Sequence, residues 1–284
     1  MLGVFAYGRK IWLIGGTSDS VDIAGLLLDN NYQIVVTVAT EGGKNLYASH
    51  QNLLVMVGKI PAQNMGLFIK KHHIGVIIDA SHPFAVNVSQ GAIATCHRYD
   101  IPYLRYERPL VTNHGRDGTI TFSSFESLLS SNFLQGKRVL LTVGCQSLHL
   151  FKDYHHTIDL YARVLPYADS LTQAYQAGFK GDRLIALRPP ISFEVEKALW
   201  QQWHIEAVVT KAGGKAGGED IKQKVAQKLQ IPLILIQRPP IKYPHKVNNL
   251  ADIIPWLTKF NDGGDDDHDH DHDDGDGVQK PELN

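Results

Sequence analysis

Cysteine is almost absent: Cys96 and Cys145 are the only two in 284 residues. Two thiols cannot build the disulfide scaffold of a small secreted domain, and no Cys-x-x-Cys pair offers a thiolate metal site. Both sit in apolar surroundings and read as small core side chains. Long hydrophobic runs are also missing, none approaching the roughly 18 residues that a membrane-spanning helix needs. The stretch from Met1 to Lys10 carries its basic pair after its apolar residues, the reverse of a secretory signal. A cytoplasmic protein with no membrane partner is expected. An overall excess of charge is lacking too, with 28 Lys and Arg against 29 Asp and Glu. That balance hides a division, because residues 1–261 hold 27 basic against 19 acidic side chains and residues 262–284 hold 1 against 10. A basic body favours an anionic ligand. It contains no aromatic-basic array or recognised nucleic-acid module, so no nucleic-acid partner is expected.

The chain does have a regular rhythm. Hydrophobic residues make up 43% of it, enough for one large core or two. Short apolar runs predict strands at Ile11–Ile14, Ile34–Ala39, Leu53–Val57, Val76–Asp79, Tyr103–Tyr106, Val139–Val143, Leu184–Leu187, Ala207–Thr210 and Leu233–Ile236. They are continuous rather than alternating, as expected for parallel sheets covered on both faces. Helical periods fall between them, at Val21, Ala24 and Leu28; at Val88, Ala92, Cys96 and Tyr99; at Val195, Leu199 and Trp203; and at Ile221, Val225 and Leu229. This is the series of a doubly wound α/β fold, whose ligands bind beyond the carboxyl ends of the strands. Gly115–Gly118 and the polar stretch Ser123–Gly136 suggest a boundary near the midpoint, giving domains over residues 10–122 and 123–260.

The first predicted strand runs into Gly15-Gly16-Thr17-Ser18-Asp19. Glycines permit a tight turn that brings backbone amides to an anion, and the Thr17 and Ser18 hydroxyls can reach phosphate oxygens. The pattern lacks the full GxGxxG and the Gly-Lys-Ser/Thr ending of a P-loop. A dinucleotide, another phosphoryl ligand or a purely structural turn all fit it. The second strand leads into Thr40-Glu41-Gly42-Gly43-Lys44, where a nicotinamide-binding fold holds the adenosine ribose. Lys44 beside Thr40 suits a 2′-phosphate, which favours NADPH over NADH.

Three further segments follow strand ends. Asp79-Ala80-Ser81-His82-Pro83 places Ser81 and His82 at a crevice mouth as ligand contacts, with a structural role or proton transfer for His82 as alternatives. Arg105, Glu107 and Arg108 suggest either an ion-pair network or a clamp for substrate carboxylates. Lys211 through Gly218 offers Gly213, Gly214, Gly217 and Gly218 with two lysines at a predicted helix start, a general anion cradle or else a flexible surface loop. Arg163 marks one more crevice edge. Beyond these, residues 261–284 form an Asp- and His-rich tail that cannot bury a core and is expected to be disordered. His268, His270 and His272 alternate there with carboxylates, a set that can bind a divalent metal weakly.

Taken together, the segments at Gly15–Asp19, Asp79–Ala85, Arg105–Pro109, Arg163–Pro166 and Thr210–Gly218, with Lys222, resemble the precorrin-6A reductase family and its cobalt-precorrin-6A branch. The resemblance implies two Rossmann-like domains with mainly parallel sheets and a cleft between them. It implies NADPH on Gly15, Gly16, Thr17, Ser18, Thr40, Lys44, Ser81 and His82. It implies a tetrapyrrole, precorrin-6A or cobalt-precorrin-6A, on Arg105, Arg108, Arg163, Lys211 and the four glycines from Gly213 to Gly218. The implied reaction is hydride transfer to a ring double bond in cobalamin biosynthesis, with Lys211 anchoring or polarising the substrate. Transient contacts with neighbouring pathway enzymes belong to the same expectation. Gly213 stands where the family often has serine, which weakens a serine proton donor at that point. The competing readings are an NADP-dependent dehydrogenase or epimerase acting on another polyanion, and a cobalt-binding delivery protein, which only the tail favours.

Overall fold

A strand whose every side chain is apolar must be covered on both faces, and β-branched runs of this kind meet that condition in the middle of a parallel sheet. The computed structural model describes residues 9–111 and 118–260, and its strands follow this rule. They are β1 (Lys10–Ile14), β2 (Ile34–Val38), β3 (Leu53–Val57), β4 (Ile74–Asp79), β5 (Tyr103–Tyr106), β6 (Thr119–Phe122), β7 (Arg138–Thr142), β8 (Asp159–Val164), β9 (Leu184–Ala186), β10 (Ala207–Lys211), β11 (Leu233–Ile236) and β12 (Lys246–Val247). All residues of β2, β4 and β11 are buried. Two six-stranded sheets result, ordered β12-β5-β4-β1-β2-β3 and β6-β11-β10-β7-β8-β9. Each pairing within them is parallel.

The two orders are the same pattern used twice, except at one edge. After β5 the chain leaves the first sheet and adds β6 to the second, with Thr119 paired to Leu233. After β11 it returns and adds β12 to the first, with Lys246 paired to Arg105. Each sheet is thus completed by a strand from the other half of the chain. The sheets are the two Rossmann-like layers expected, but sheet membership departs from the division at 122/123. Residues 119–122 belong to the second sheet. Residues 246–258 belong to the first, where Ile253, Trp256 and Leu257 enter its core.

The helices are α1 (Ser18–Asp29), α2 (Glu41–Lys44), α3 (Ala62–His72), α4 (Val86–Tyr99), α5 (Phe125–Ser130), α6 (Ala168–Gln176), α7 (Phe193–Gln202), α8 (Glu219–Leu229) and α9 (Ile253–Thr258). Two buried faces differ from the expected apolar stripes for a polar reason. In α1 the buried set is Ser20, Ile23, Ala24 and Leu27, because the Ser20 hydroxyl closes a capping box with Thr17. In α7 it is Glu196 and Trp200, because the Glu196 carboxylate pairs with Arg163 of β8, while Val195 stays exposed. No helix among the described residues is long and apolar enough to cross a membrane.

One buried polar cluster holds the first sheet's carboxyl edge. Asp79, fully buried, accepts from the Ser81 amide at 2.9 Å, the Ser89 hydroxyl at 2.6 Å, the Tyr103 hydroxyl at 2.8 Å and Arg105 at 3.0 Å. Arg105, 1% exposed, also bonds the Ser81 hydroxyl and the Glu107 carboxylate and stacks on Tyr243. Removing one member of such a pair leaves the other charged and unpaired. Arg105→Met is expected to cost about 3–5 kcal/mol in denaturant unfolding; a loss below about 1 kcal/mol would show that this cluster does not support the fold.

Candidate functional site

In each sheet the chain order reverses once, between β1 and β4 and between β7 and β10. Such switch points open a crevice beyond the strand ends. Here both crevices meet. The first is a cavity of about 600 Å³ lined by residues following β1, β2, β3 and β4, with Gln146 from the second lobe beside them. That volume lies within the range of small-molecule and cofactor sites.

Its floor is the glycine turn. Gly16 has φ +96°, a left-handed conformation that a side chain would strain. Tyr47 fixes the turn, accepting from the Gly16 amide at 3.1 Å and sharing a 2.6 Å hydrogen bond with the Ser20 hydroxyl. The Thr17 hydroxyl donates to the Ala80 carbonyl at 3.0 Å, which ties the end of β1 to the end of β4. The Ser20 amide is capped by Thr17, so the two preceding amides, of Ser18 and Asp19, are the donors α1 has left for an anion. Asp19 would oppose that anion, but Arg108 is paired with it. Burial raises the Asp19 pKa and the Arg108 guanidinium lowers it in opposition.

His82 lines the same cavity. Its Nδ1 accepts from the Phe84 amide at 3.2 Å, so a neutral ring carries its proton on Nε2. The ring is solvent-accessible at the cleft, yet atoms crowd it on most sides. That crowding, followed by the positive charges of Lys211, Arg108, Arg105 and Arg238, pulls its pKa well below the ordinary range. His82 is therefore a hydrogen-bond donor, with no proton to give as an acid at neutral pH.

Lys211 ends β10 and reaches toward the first lobe. Its ammonium lies 5.0 Å from the Phe84 ring centre and 5.8 Å from that of Phe125, one aromatic from each lobe. Burial lowers its pKa to about 8. Phe84 lines the cavity and also packs on the second lobe's core. On the other side of the cleft, Tyr167 lies against Gly42, where an added Cβ would stand 2.7 Å from the Tyr167 hydroxyl.

The expected cofactor residues divide. Gly15, Gly16, Thr17, Thr40, Ser81 and His82 line the cavity; Ser18 and Lys44 do not. Thr37, which reads in the sequence as a small donor and here accepts from the Trp12 indole at 2.8 Å, and Gly43 of the Thr40–Lys44 segment also line it, whereas Lys59 and Asn87 are lining residues that sequence reasoning passed over. Apolar strand ends and an unremarkable Gly-Lys pair gave no signal for them.

The expected substrate residues need more correction. Arg105 is enclosed in the Asp79 cluster, and Asp79 with it, so neither stands at the crevice mouth. Arg163 is buried against Glu196. The exposed anion cradle is not formed, because each of the four glycine amides is used inside the loop. The Gly213 amide donates to the Lys211 carbonyl, Gly217 to the Gly214 carbonyl and Gly218 to the Lys215 carbonyl, while Gly214 donates to the Glu219 carboxylate at 2.8 Å. Lys222 is buried beneath the loop, donating to the Gly217 carbonyl at 2.6 Å. Arg108 bonds the Gly213 carbonyl at 3.1 Å as well as Asp19, and so spans both lobes. His268, His270 and His272 lie outside the described residues, among which no cluster of metal-binding side chains occurs.

Comparison with known proteins agrees with this architecture. The family model described as precorrin-6x reductase CbiJ/CobK matches residues 10–258. A cobalt-precorrin-6A reductase of Synechocystis sp. is 47% identical over 232 residues, covering 81% of this chain and 88% of its own. One from Priestia megaterium is 30% identical, covering 86% of this chain and 96% of its own. A solved structure named CobK precorrin-6A reductase superposes with a TM-score of 0.73 at 23% identity, covering 89% of this chain and 97% of its own, which bears on the fold. With its model spanning both lobes and both switch points, the chain belongs to the precorrin-6x reductase family.

Proposed function

We propose that the protein reduces a ring double bond of cobalt-precorrin-6A to give cobalt-precorrin-6B, using NADPH, in the assembly of the corrin ring. The observation that carries this reading is the meeting of two switch-point crevices, a glycine-floored cavity on one side and the Lys211 ammonium on the other. The 47% identity to a cobalt-precorrin-6A reductase favours the cobalt form as substrate.

The cavity suits a dinucleotide. It has at its floor a glycine whose positive φ a side chain would strain, free helix-start amides beside it, and no carboxylate among its described lining residues. Gly15, Gly16, Thr17 and Ser18 would hold the pyrophosphate, Thr40 and Gly43 the adenosine ribose, and Ser81 and His82 the nicotinamide end. When bound, NADPH supplies the hydride. The chain's own residues then orient, shield and protonate. His82 presents Nε2–H as a fixed neutral donor, and Phe84 keeps water from the inner end. Lys211 holds a proton on Nζ near neutral pH and places positive charge where a substrate with many carboxylates would lie. Lys215, exposed on the same loop, adds a second cation.

The direct test follows NADPH absorbance with purified protein and either form of the tetrapyrrole. Turnover is expected, faster with cobalt present, and no oxidation with either form would sink the proposal. Replacing Gly16 with valine forces a β-branched residue into a left-handed conformation at the cavity floor. NADPH affinity is expected to fall about tenfold or more, and a folded variant that binds as tightly as the parent would remove the turn from the site.

Lys211 sets a pH limit. Its ammonium predominates below a pKa of about 8 and is lost above it, so turnover that needs this proton declines as pH rises through that value. Lys211→Ala is expected to lower kcat by about a hundredfold, to abolish this decline, and to leave NADPH affinity unchanged. Unaltered kcat with the same pH profile would exclude Lys211 from the reaction.

A further inference from the structure

We infer that Lys59, at the end of β3, is the residue that selects NADPH over NADH by pairing with the 2′-phosphate. The inference rests on the reading that the cavity holds a dinucleotide, and it names the group that decides which one. In doubly wound sheets the adenosine ribose lies beyond the carboxyl end of the second strand, where a carboxylate favours NADH and a cation favours NADPH. Here β2 ends at Val38, and Ala39, Thr40 and Gly43 line the cavity just beyond it. Glu41 and Lys44, the two charged residues that follow in sequence, are exposed on α2 and do not line it.

Lys59 fills the gap from the neighbouring strand. β3 pairs with β2 in register through Val38 and Val57, so the two strand ends lie side by side. The Gly58 amide then donates to the Val38 carbonyl at 2.9 Å, which holds the turn carrying Lys59 against the end of β2. Ile60 and Pro61, the latter capping α3, continue the same wall. Among the described residues that line the cavity, Lys59 is the one with a full charge, since His82 is neutral. It has no carboxylate within ion-pair distance among the described residues, and it is exposed, so its ammonium is free to meet a dianion. Phosphate recognition needs such a charge, because the backbone donors of the glycine turn lie at the other end, below β1.

The test measures binding of NADPH, NADH, 2′,5′-ADP and 5′-AMP to the parent protein, Lys59→Ala, Lys59→Arg and Lys44→Ala by calorimetry. Lys59→Ala is expected to weaken NADPH and 2′,5′-ADP by roughly tenfold or more. It should leave NADH and 5′-AMP as they were, and Lys59→Arg should restore the preference. The inference is overturned if Lys59→Ala keeps the parent's preference, if it weakens both dinucleotides by the same factor, or if Lys44→Ala abolishes the preference instead. A parent protein that binds neither dinucleotide overturns the cavity reading and this inference together, whereas each of the other adverse results overturns this inference alone.

Discussion

The two crossings between the sheets are what the rest of the molecule depends on. Each lobe lacks one edge strand until the other half of the chain supplies it, so neither sheet is complete without both crossings. The crossings carry Glu107 and Arg108 in one direction and Arg238 in the other. Arg238 bonds the Glu107 carboxylate at 2.6 Å, the Arg108 carbonyl at 2.8 Å and the Ala212 carbonyl at 2.8 Å. Glu107 continues to Arg105 and Asp79 in the first sheet, and Arg108 to Asp19 and the Gly213 carbonyl. These side chains are mostly buried, where attraction is strong and a missing partner is costly. The joint between the lobes is therefore a fixed polar seam, and the glycine turn and the Lys211 loop are both attached to it.

This seam helps the cleft keep its shape. Two contacts flank the cavity, Phe84 packed on the second lobe's core and Tyr167 laid against Gly42. Both bring an aromatic of one lobe onto the other near the strand ends. The cavity lies between them, bounded by main chain held through Thr17 to Ala80 and Gly58 to Val38. Cofactor-sized space is thus maintained by hydrogen bonds onto the main-chain carbonyls of Ala80 and Val38, one from the Thr17 hydroxyl and one from the Gly58 amide.

How much of this was legible in the sequence differed by the kind of force involved. The core strands were legible because uninterrupted apolar runs have one stable environment, and β1, β2, β4, β10 and β11 follow them closely. Strands β6, β8 and β12 were not, because Thr119–Phe122 alternates polar residues, Asp159 and Arg163 interrupt β8, and β12 has two residues. The edge exchange was hidden for the same reason, since a short polar strand owes its place to a partner distant in sequence. Gly15, Gly16, Thr17 and His82, which line the cavity, stood out in the sequence through backbone requirements and strand ends. Arg105 and Arg163 were misplaced because a buried pair and a ligand clamp use the same residue types. Their partners Asp79 and Glu196 lie 26 and 33 residues away. The glycine loop misled for a related cause: four glycines announce free amides, and only the fold reveals that each amide is already used.

The charges around the cleft divide into paired arginines and a lysine that has no such pairing. Arg105, Arg108 and Arg238 are matched by Asp79, Glu107 and Asp19 within the seam. Their mutual neutralisation makes them poor partners for a substrate's carboxylates and keeps Asp19 from opposing an anion at the glycine turn. Lys211, at the junction of the lobes, stands outside those pairs. Among the described residues no carboxylate steadies it, and aromatic faces on two sides replace water less effectively than a counter-ion would. That combination lowers its pKa toward neutrality, since desolvation acts with nothing comparable to oppose it. The same seam that holds the lobes together thus leaves the Lys211 ammonium underscreened at their junction, where its charge and its proton are both available to an anionic guest.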